Sequence, residues 1–214
     1  MTYIGIDFSL NSPGVCVQSQ TGDYEFISFF NFGNRKWGTK IPKAFSVHEE
    51  LMNAGIIHGV YYNREVENKD FLKREREKLV DAQKISNVII DKITDFIDES
   101  SVRLSLEGFS YGSKGNSFID IIQYNTFLRY NLMQRYGISN LSIYQPSHIK
   151  KLAGKGNANK FYMIKAFQDN VLNDKNLKRS PFWKWIKDKD FSNNICKPVD
   201  DLVDSYFILN ACKS

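Results

Sequence analysis

Residues 3–8 read Tyr-Ile-Gly-Ile-Asp-Phe, with Ile4, Ile6 and Phe8 alternating against Tyr3, Gly5 and Asp7, the period of a β-strand. The run breaks on Ser-Leu-Asn-Ser-Pro-Gly, a turn. Two further strand patterns follow at 15–20 and 24–30, joined by Thr21-Gly22-Asp23, a hairpin signal. A chain that starts this way is committed to a sheet, and what comes next decides its class.

Residues 67–99 switch to a helical period, with Leu72, Leu79, Ala82, Ile85, Ile89, Ile93 and Phe96 on one face and a solvated Lys-Arg-Glu-Arg-Glu-Lys stretch outside it. Residues 101–108 alternate again and bring the strand to Glu107. The loop Gly-Phe-Ser-Tyr-Gly-Ser-Lys-Gly-Asn at 108–116 leads into a helix over about 117–136, stopped by Gly137. A strand at 141–145 closes on Pro146. Two helical pieces split at Gly-Lys-Gly-Asn follow, then an irregular, basic and aromatic stretch at 173–197, then a last helix from about Val199. Residues 31–66 show no clear period and carry Arg35, Lys36, Trp37, Lys40 and Lys43, the pattern of a long basic loop or an insertion with little regular structure. The expectation is an α/β chain whose mixed central sheet is flanked by helices, one domain spanning 1–214.

Net charge is +5 and the isoelectric point about 8.9, a basic bias that permits a polyanionic partner without requiring one. Cys16, Cys196 and Cys212 are scattered without metal-ligand spacing, which suits a reducing compartment. The first residues have no basic segment before an apolar one, and no apolar run approaches the ~20 residues of a membrane span. These features point to a soluble cytoplasmic protein with no membrane partner.

The residues that carry chemistry are acids. Asp7 and Glu107 each end a strand, and Glu107 has the opposite parity from Val102, Leu104 and Leu106. Singly, either is as well explained by a turn-initiating Asp or a surface Glu. Near the end, Lys-Pro-Val-Asp-Asp-Leu-Val-Asp-Ser-Tyr-Phe places Asp200, Asp201 and Asp204 at the start of an apolar helix. Acids there complement the helix macrodipole, and Pro198 suits a first turn. Asp201 and Asp204 also share one helical face, as do Asp200 and Asp204. Strand-end acids and a helical pair brought together would repel, and hard cations would neutralise them. Oxygen-only ligands suit Mg²⁺ or Mn²⁺. Two such ions about 3.5–4 Å apart serve phosphodiester hydrolysis. His48, His58 and His148 lack any triad context, and Gly-Lys-Gly-Asn-Ala-Asn-Lys at 154–160 misses the spacing of a phosphate loop.

Four segments taken together, at 4–17, 104–113, 144–164 and 198–211, resemble RuvC-type Holliday junction resolvases, metal-dependent endonucleases of the RNase H-like superfamily, in a divergent, phage-type form. The resemblance covers about two-thirds of the chain. It implies an RNase H-like fold, two Mg²⁺ ions with Mn²⁺ as a substitute, and four-way junction DNA as substrate. It also implies a homodimer that makes paired symmetric nicks, with the helix after Glu107 as a candidate interface, acting in a bacterial cell or a phage-infected host. Carried over by position, the metal-binding and catalytic acids are Asp7, Glu107, Asp201 and Asp204. Asp200 is then an extra acid, and the helical wheel leaves open whether it substitutes for Asp201. The family's catalytic lysines fall on Lys150 and Lys160, with Lys151 and Lys155 beside them as DNA contacts. Phe109 or Tyr111 would present an aromatic ring to the junction centre, and Lys114 would meet a phosphate. Three other readings compete: a broader nuclease of branched DNA or of RNA, a non-catalytic nucleic-acid-binding module, and an actin-like sugar kinase or ATPase.

Overall fold

A computed structural model describes residues 1–33, 40–64, 66, 69–97, 101–109, 116–169, 174–192 and 197–213. Strands β1 (Thr2–Asp7), β2 (Gly14–Gln18) and β3 (Tyr24–Asn31) form an antiparallel meander. After it come α1 (Lys40–Asn53), β4 (His58–Tyr62), α2 (Phe71–Thr94), β5 (Val102–Glu107) and α3 (Asn116–Tyr136). The chain then runs through β6 (Leu141–Tyr144), α4 (Pro146–Leu152), α5 (Lys160–Asp169), α6 (Pro181–Ile186) and α7 (Val199–Ala211). The six strands lie in the order β4-β3-β2-β1-β5-β6, with β3–β4, β1–β5 and β5–β6 parallel. The sheet is therefore mixed, with helices over both faces.

Strand parity assigns the faces. Ile4, Ile6, Val15, Val17, Leu104 and Leu106 pack with α2 and α3 through Ile85, Ile89, Ile93, Leu128 and Leu132. The opposite face receives α4 to α7 through Ile149, Phe167, Phe182, Val203 and Phe207. On that second face the strands beneath α7 carry small residues at Gly5, Gly14 and Ser105. A Cβ on Gly5 would lie 2.2 Å from the Ser205 carbonyl oxygen, and one on Gly14 would lie 2.6 Å from the Asp201 backbone. Ser105 donates its hydroxyl to the carbonyls of Ile4 and Ile208, at 3.0 and 2.9 Å, tying β5 to both β1 and α7. Small residues thus let α7 settle directly on β1 and β2, and this contact brings its acids to the strand ends.

Three local expectations need correction. Residues 31–66 are not a structureless insertion: α1 buries Ala44, His48 and Leu51 at helical spacing, and β4 extends the sheet beside β3. The stripe was hard to see because one of its members is His48, buried and hydrogen-bonded to Ser28 at 3.0 Å. In α2 the buried stripe begins at Asp81 and Ala82, while Leu72 and Leu79 are exposed. Within 173–197, residues 181–186 form α6, begun by Ser180, whose hydroxyl accepts from the Trp183 amide. It packs Phe182 and Ile186 into the core. Among the described residues no helix is long and apolar enough to cross a membrane.

Candidate active site

Asp7 follows Gly5 along β1, and Glu107 follows Ser105 along the parallel neighbour β5. With a period of two, both carboxylates face the side that α7 covers. They leave the sheet at its C-terminal edge, where ligand sites in α/β folds gather. The first turns of α7 then supply Asp201 and Asp204 from above. Asp7, Glu107 and Asp204 keep partial solvent contact, while Asp200 and Asp201 are buried.

The electrostatics show that these acids lie within one field. Burial, then the charges of Asp201, Asp204 and Glu107, push the Asp7 carboxyl well above its ordinary value, with Lys197 opposing. Burial and then Asp201, Glu107 and Asp200 push Asp204 up to about 7, with Lys160 opposing. Glu107 is raised by burial and eased by Lys150. Asp201 is raised by burial despite the attraction of Lys197. Repulsion and desolvation of this kind mark a site built for something other than stability.

Lysines stand around the acids. A cleft of about 410 Å³ brings Glu107 and Asp204 together with Lys150 and Lys160. Lys160 is ion-paired with Asp200. Lys197, which the sequence reading passed over, is ion-paired with Asp201 and lies 3.4 Å from Asp200. Burial alone would lower the pKa of Lys197, but Asp201, Asp200 and Asp7 more than offset it and raise it. Asp200 is the one acid of this cluster whose pKa is lowered: burial is outweighed by Lys197 and Lys160. Ser12, in the turn between β1 and β2, donates to the other oxygen of Asp201 at 2.7 Å. The spacing of Lys197, four residues before Asp201, was legible in the chain; the Ser12 contact, 189 residues apart, was not.

The donor set fits a hard divalent cation in chemistry, being all carboxylate oxygen. Asp200 Oδ1 is buried without a hydrogen-bond partner among the described residues. Among the described residues, no three acids already form a cation cage. Asp201 is instead engaged by Lys197 and Ser12, and Asp200 by Lys160 and Lys197.

Of the other candidates, Lys151 and Lys155 are exposed on and just after α4, with the Lys155 ammonium 4.4 Å from the centre of the Tyr162 ring. Phe109 is half-buried under the Arg129 guanidinium, 4.3 Å from its ring centre, and Arg129 also donates to the Glu107 carbonyl at 2.9 Å. Tyr111 and Lys114 lie outside the described residues.

No family model and no curated protein matches the chain. Solved structures do. The yeast mitochondrial Holliday junction resolvase Ydc2 superposes with a TM-score of 0.50 at 11% identity, over 96% of this chain and 75% of that one. The Thermus thermophilus RuvC structure gives 0.47 at 13% identity, over 98% of this chain and 91% of that one. With its mixed six-stranded sheet and helices on both faces, the chain has the RNase H-like fold on which the Ydc2 resolvase is built.

Proposed function

We propose that this protein is a metal-dependent, structure-selective DNA endonuclease that resolves four-way junctions by paired symmetric nicks. One observation carries the reading. Asp7, Glu107, Asp201 and Asp204 come from three separate elements and converge at one edge of the sheet, each with its carboxyl pKa raised. Selection for stability alone would not assemble such a set.

Asp7, Glu107, Asp201 and Asp204 are the residues that would hold Mg²⁺, or Mn²⁺ in its place. Bound there, the ions would supply Lewis-acid stabilisation of charge on the phosphate oxygens. Asp201 is favoured over Asp200 as the fourth ligand because Asp7 is raised by Asp201 and Asp204, while Asp200 is paired with Lys160 in addition to the Lys197 that both acids share. Lys150 and Lys160, in the cleft with Glu107 and Asp204, are placed to meet a phosphate with a developing negative charge. Lys151 and Lys155 extend the positive surface along the DNA backbone, where contacts set position rather than sequence. By the resemblance, Tyr111 and Lys114 would be further DNA contacts.

Two nicks related by symmetry call for two active sites, so the working unit is a homodimer. Exposed Ile119 and Tyr130 make α3 the favoured interface. The substrate preference is tested by cleavage of four-way junction, flap and linear duplex DNA, and of an RNA–DNA hybrid, with Mg²⁺ and with EDTA. Mg²⁺-dependent paired nicks in the junction alone are expected. Equal cutting of every substrate would replace the resolvase with a broader nuclease, and binding without cutting would leave a recognition module.

A further inference from the structure

A second pocket, of about 440 Å³, shares no residue with the cleft that holds Lys150 and Lys160. Its polar lining includes Ser9 and Ser12 of the β1–β2 turn, Arg64 after β4, and Lys197 before α7. Two of these side chains also touch Asp201. Ser12 donates to it at 2.7 Å, and Lys197 is ion-paired with it. The pocket and the acid cluster are therefore joined through Ser12 and Lys197. Arg64 is fixed in place: its Nε lies 3.4 Å from the buried Asp81 carboxylate, and its Nη2 donates to the Tyr124 hydroxyl at 3.2 Å. Asp120, the acid in the lining, is paired with Lys78 at 2.8 Å, so its charge is already met. Lys197 is held differently, about one-third exposed on a flexible stem and shared between Asp200 and Asp201.

We propose that this pocket seats a backbone phosphate of the bound DNA, and that the phosphate draws Lys197 away from Asp201. The inference rests on the nuclease reading above and adds to it a link between DNA binding and cation binding. A fixed guanidinium presents a planar fork that matches phosphate, and a movable ammonium completes the site. Ser9 adds a hydroxyl, whose oxygen accepts from the Ser12 amide at 3.0 Å. Phe30 and Ile121 give the pocket an apolar side that suits a deoxyribose, so a strand of DNA fits it better than a free anion. While Lys197 stays on Asp201, a divalent cation at that carboxylate meets an ammonium at close range, which opposes its binding. A phosphate in the pocket gives Lys197 another anion and leaves Asp201 to the cation. Each ligand then favours the other by the same factor.

The test uses the full chain and four-way junctions in which one phosphate at a time near the branch is made an uncharged methylphosphonate. Binding is measured in Ca²⁺, so that no cleavage is required. Apart from the phosphate to be cut, one position should cost the wild type about tenfold in affinity, the scale of one charge-assisted contact. In Lys197→Met the same position should cost about threefold or less, since Arg64 alone remains. Neutralising that phosphate should also raise the Ca²⁺ concentration for half-maximal binding about fivefold or more in the wild type. In Lys197→Met the Ca²⁺ requirement should not move. Should Lys197→Met fail to fold, as its melting curve would show, Arg64→Lys tests the same pocket, because it keeps the charge beside Asp81 and loses the fork. If no position depends on Lys197 or Arg64, the pocket is overturned while the nuclease reading stands. A position that does, with an unmoved Ca²⁺ requirement in the wild type, overturns the release of Lys197. Failure of the wild type to bind the junction at all overturns the nuclease reading as well.

Discussion

Lys197 reaches across the start of α7 to pair with Asp201, so an ammonium stands inside the acid cluster, 3.4 Å from Asp200 as well. Carboxylates gathered at one place have to be neutralised when no cation is bound, and Lys197 does this in the chain itself. Replacing it by methionine keeps length and removes charge. In EDTA the Lys197→Met protein should be less stable by about 1–3 kcal/mol, a buried-pair loss reduced because Lys197 is about one-third exposed. Its stabilisation by Mg²⁺ should grow, because the ion no longer competes with an ammonium. Melting curves across a Mg²⁺ titration check both signs, and a smaller Mg²⁺ response would show that Lys197 supports the ion instead.

Asp204 predicts a pH dependence. Its folded-state value of about 7 lies above the ~3.9 of an unfolded Asp, so between these values the folded chain binds more protons. Its contribution is fully present below about pH 4 and is lost as pH rises through 7. In EDTA, Asp204→Asn should therefore melt higher than wild type at pH 8 and nearly the same at pH 4. Each kcal/mol of relieved desolvation and repulsion is worth about 2–4 °C in a chain of this size. Equal melting temperatures at pH 8 would remove Asp204 from the repelling set.

Lys160 is exposed enough to swing from Asp200 to a substrate. An interaction made mainly in the transition state appears in the chemical step. Lys160→Ala should lower the single-turnover rate about 10²-fold or more. Junction affinity in Ca²⁺ should fall by less than about threefold, as expected for the loss of at most one phosphate contact. Parallel losses in rate and affinity would make Lys160 a phosphate anchor only.

Gly14 connects fold to chemistry. A methyl there would collide with the Asp201 backbone at 2.6 Å, and backbone has little room to yield. Gly14→Ala should cost about 1–3 kcal/mol of stability by overpacking and should impair catalysis beyond that by moving α7. A fully active, equally stable variant would mean that the contact between β2 and α7 does not position the acids.

Much of this was legible in the chain because period and punctuation are local. The meander, the strand ending at Glu107, the long helices and the start of α7 all follow from alternation, helical spacing and turn residues. What escaped depends on tertiary context. The α1 stripe includes a histidine that becomes apolar-like only when Ser28 takes its Nδ1 and burial holds its pKa down at about 4. Leu72 and Leu79 matched the helical period of α2 but lie ahead of the stretch that meets the sheet. At the site, spacing offered Asp200 and Asp201 as equivalent partners for Asp204. They are distinguished by what surrounds them: Lys160 on one, Ser12 on the other. The pocket beside Arg64 has no sequence signal, since it forms where the β1–β2 turn, the end of β3, α1 and α3 meet.

The central claim is that the converging acids perform DNA cleavage, and Asp7 tests it most directly because it faces the other three. Cleavage of a four-way junction in Mg²⁺ and its binding in Ca²⁺ should be measured for wild type and Asp7→Asn side by side. The wild type should cut, and the variant should bind with similar affinity while its rate falls to background. Cleavage by purified Asp7→Asn at the wild-type rate would contradict the assignment.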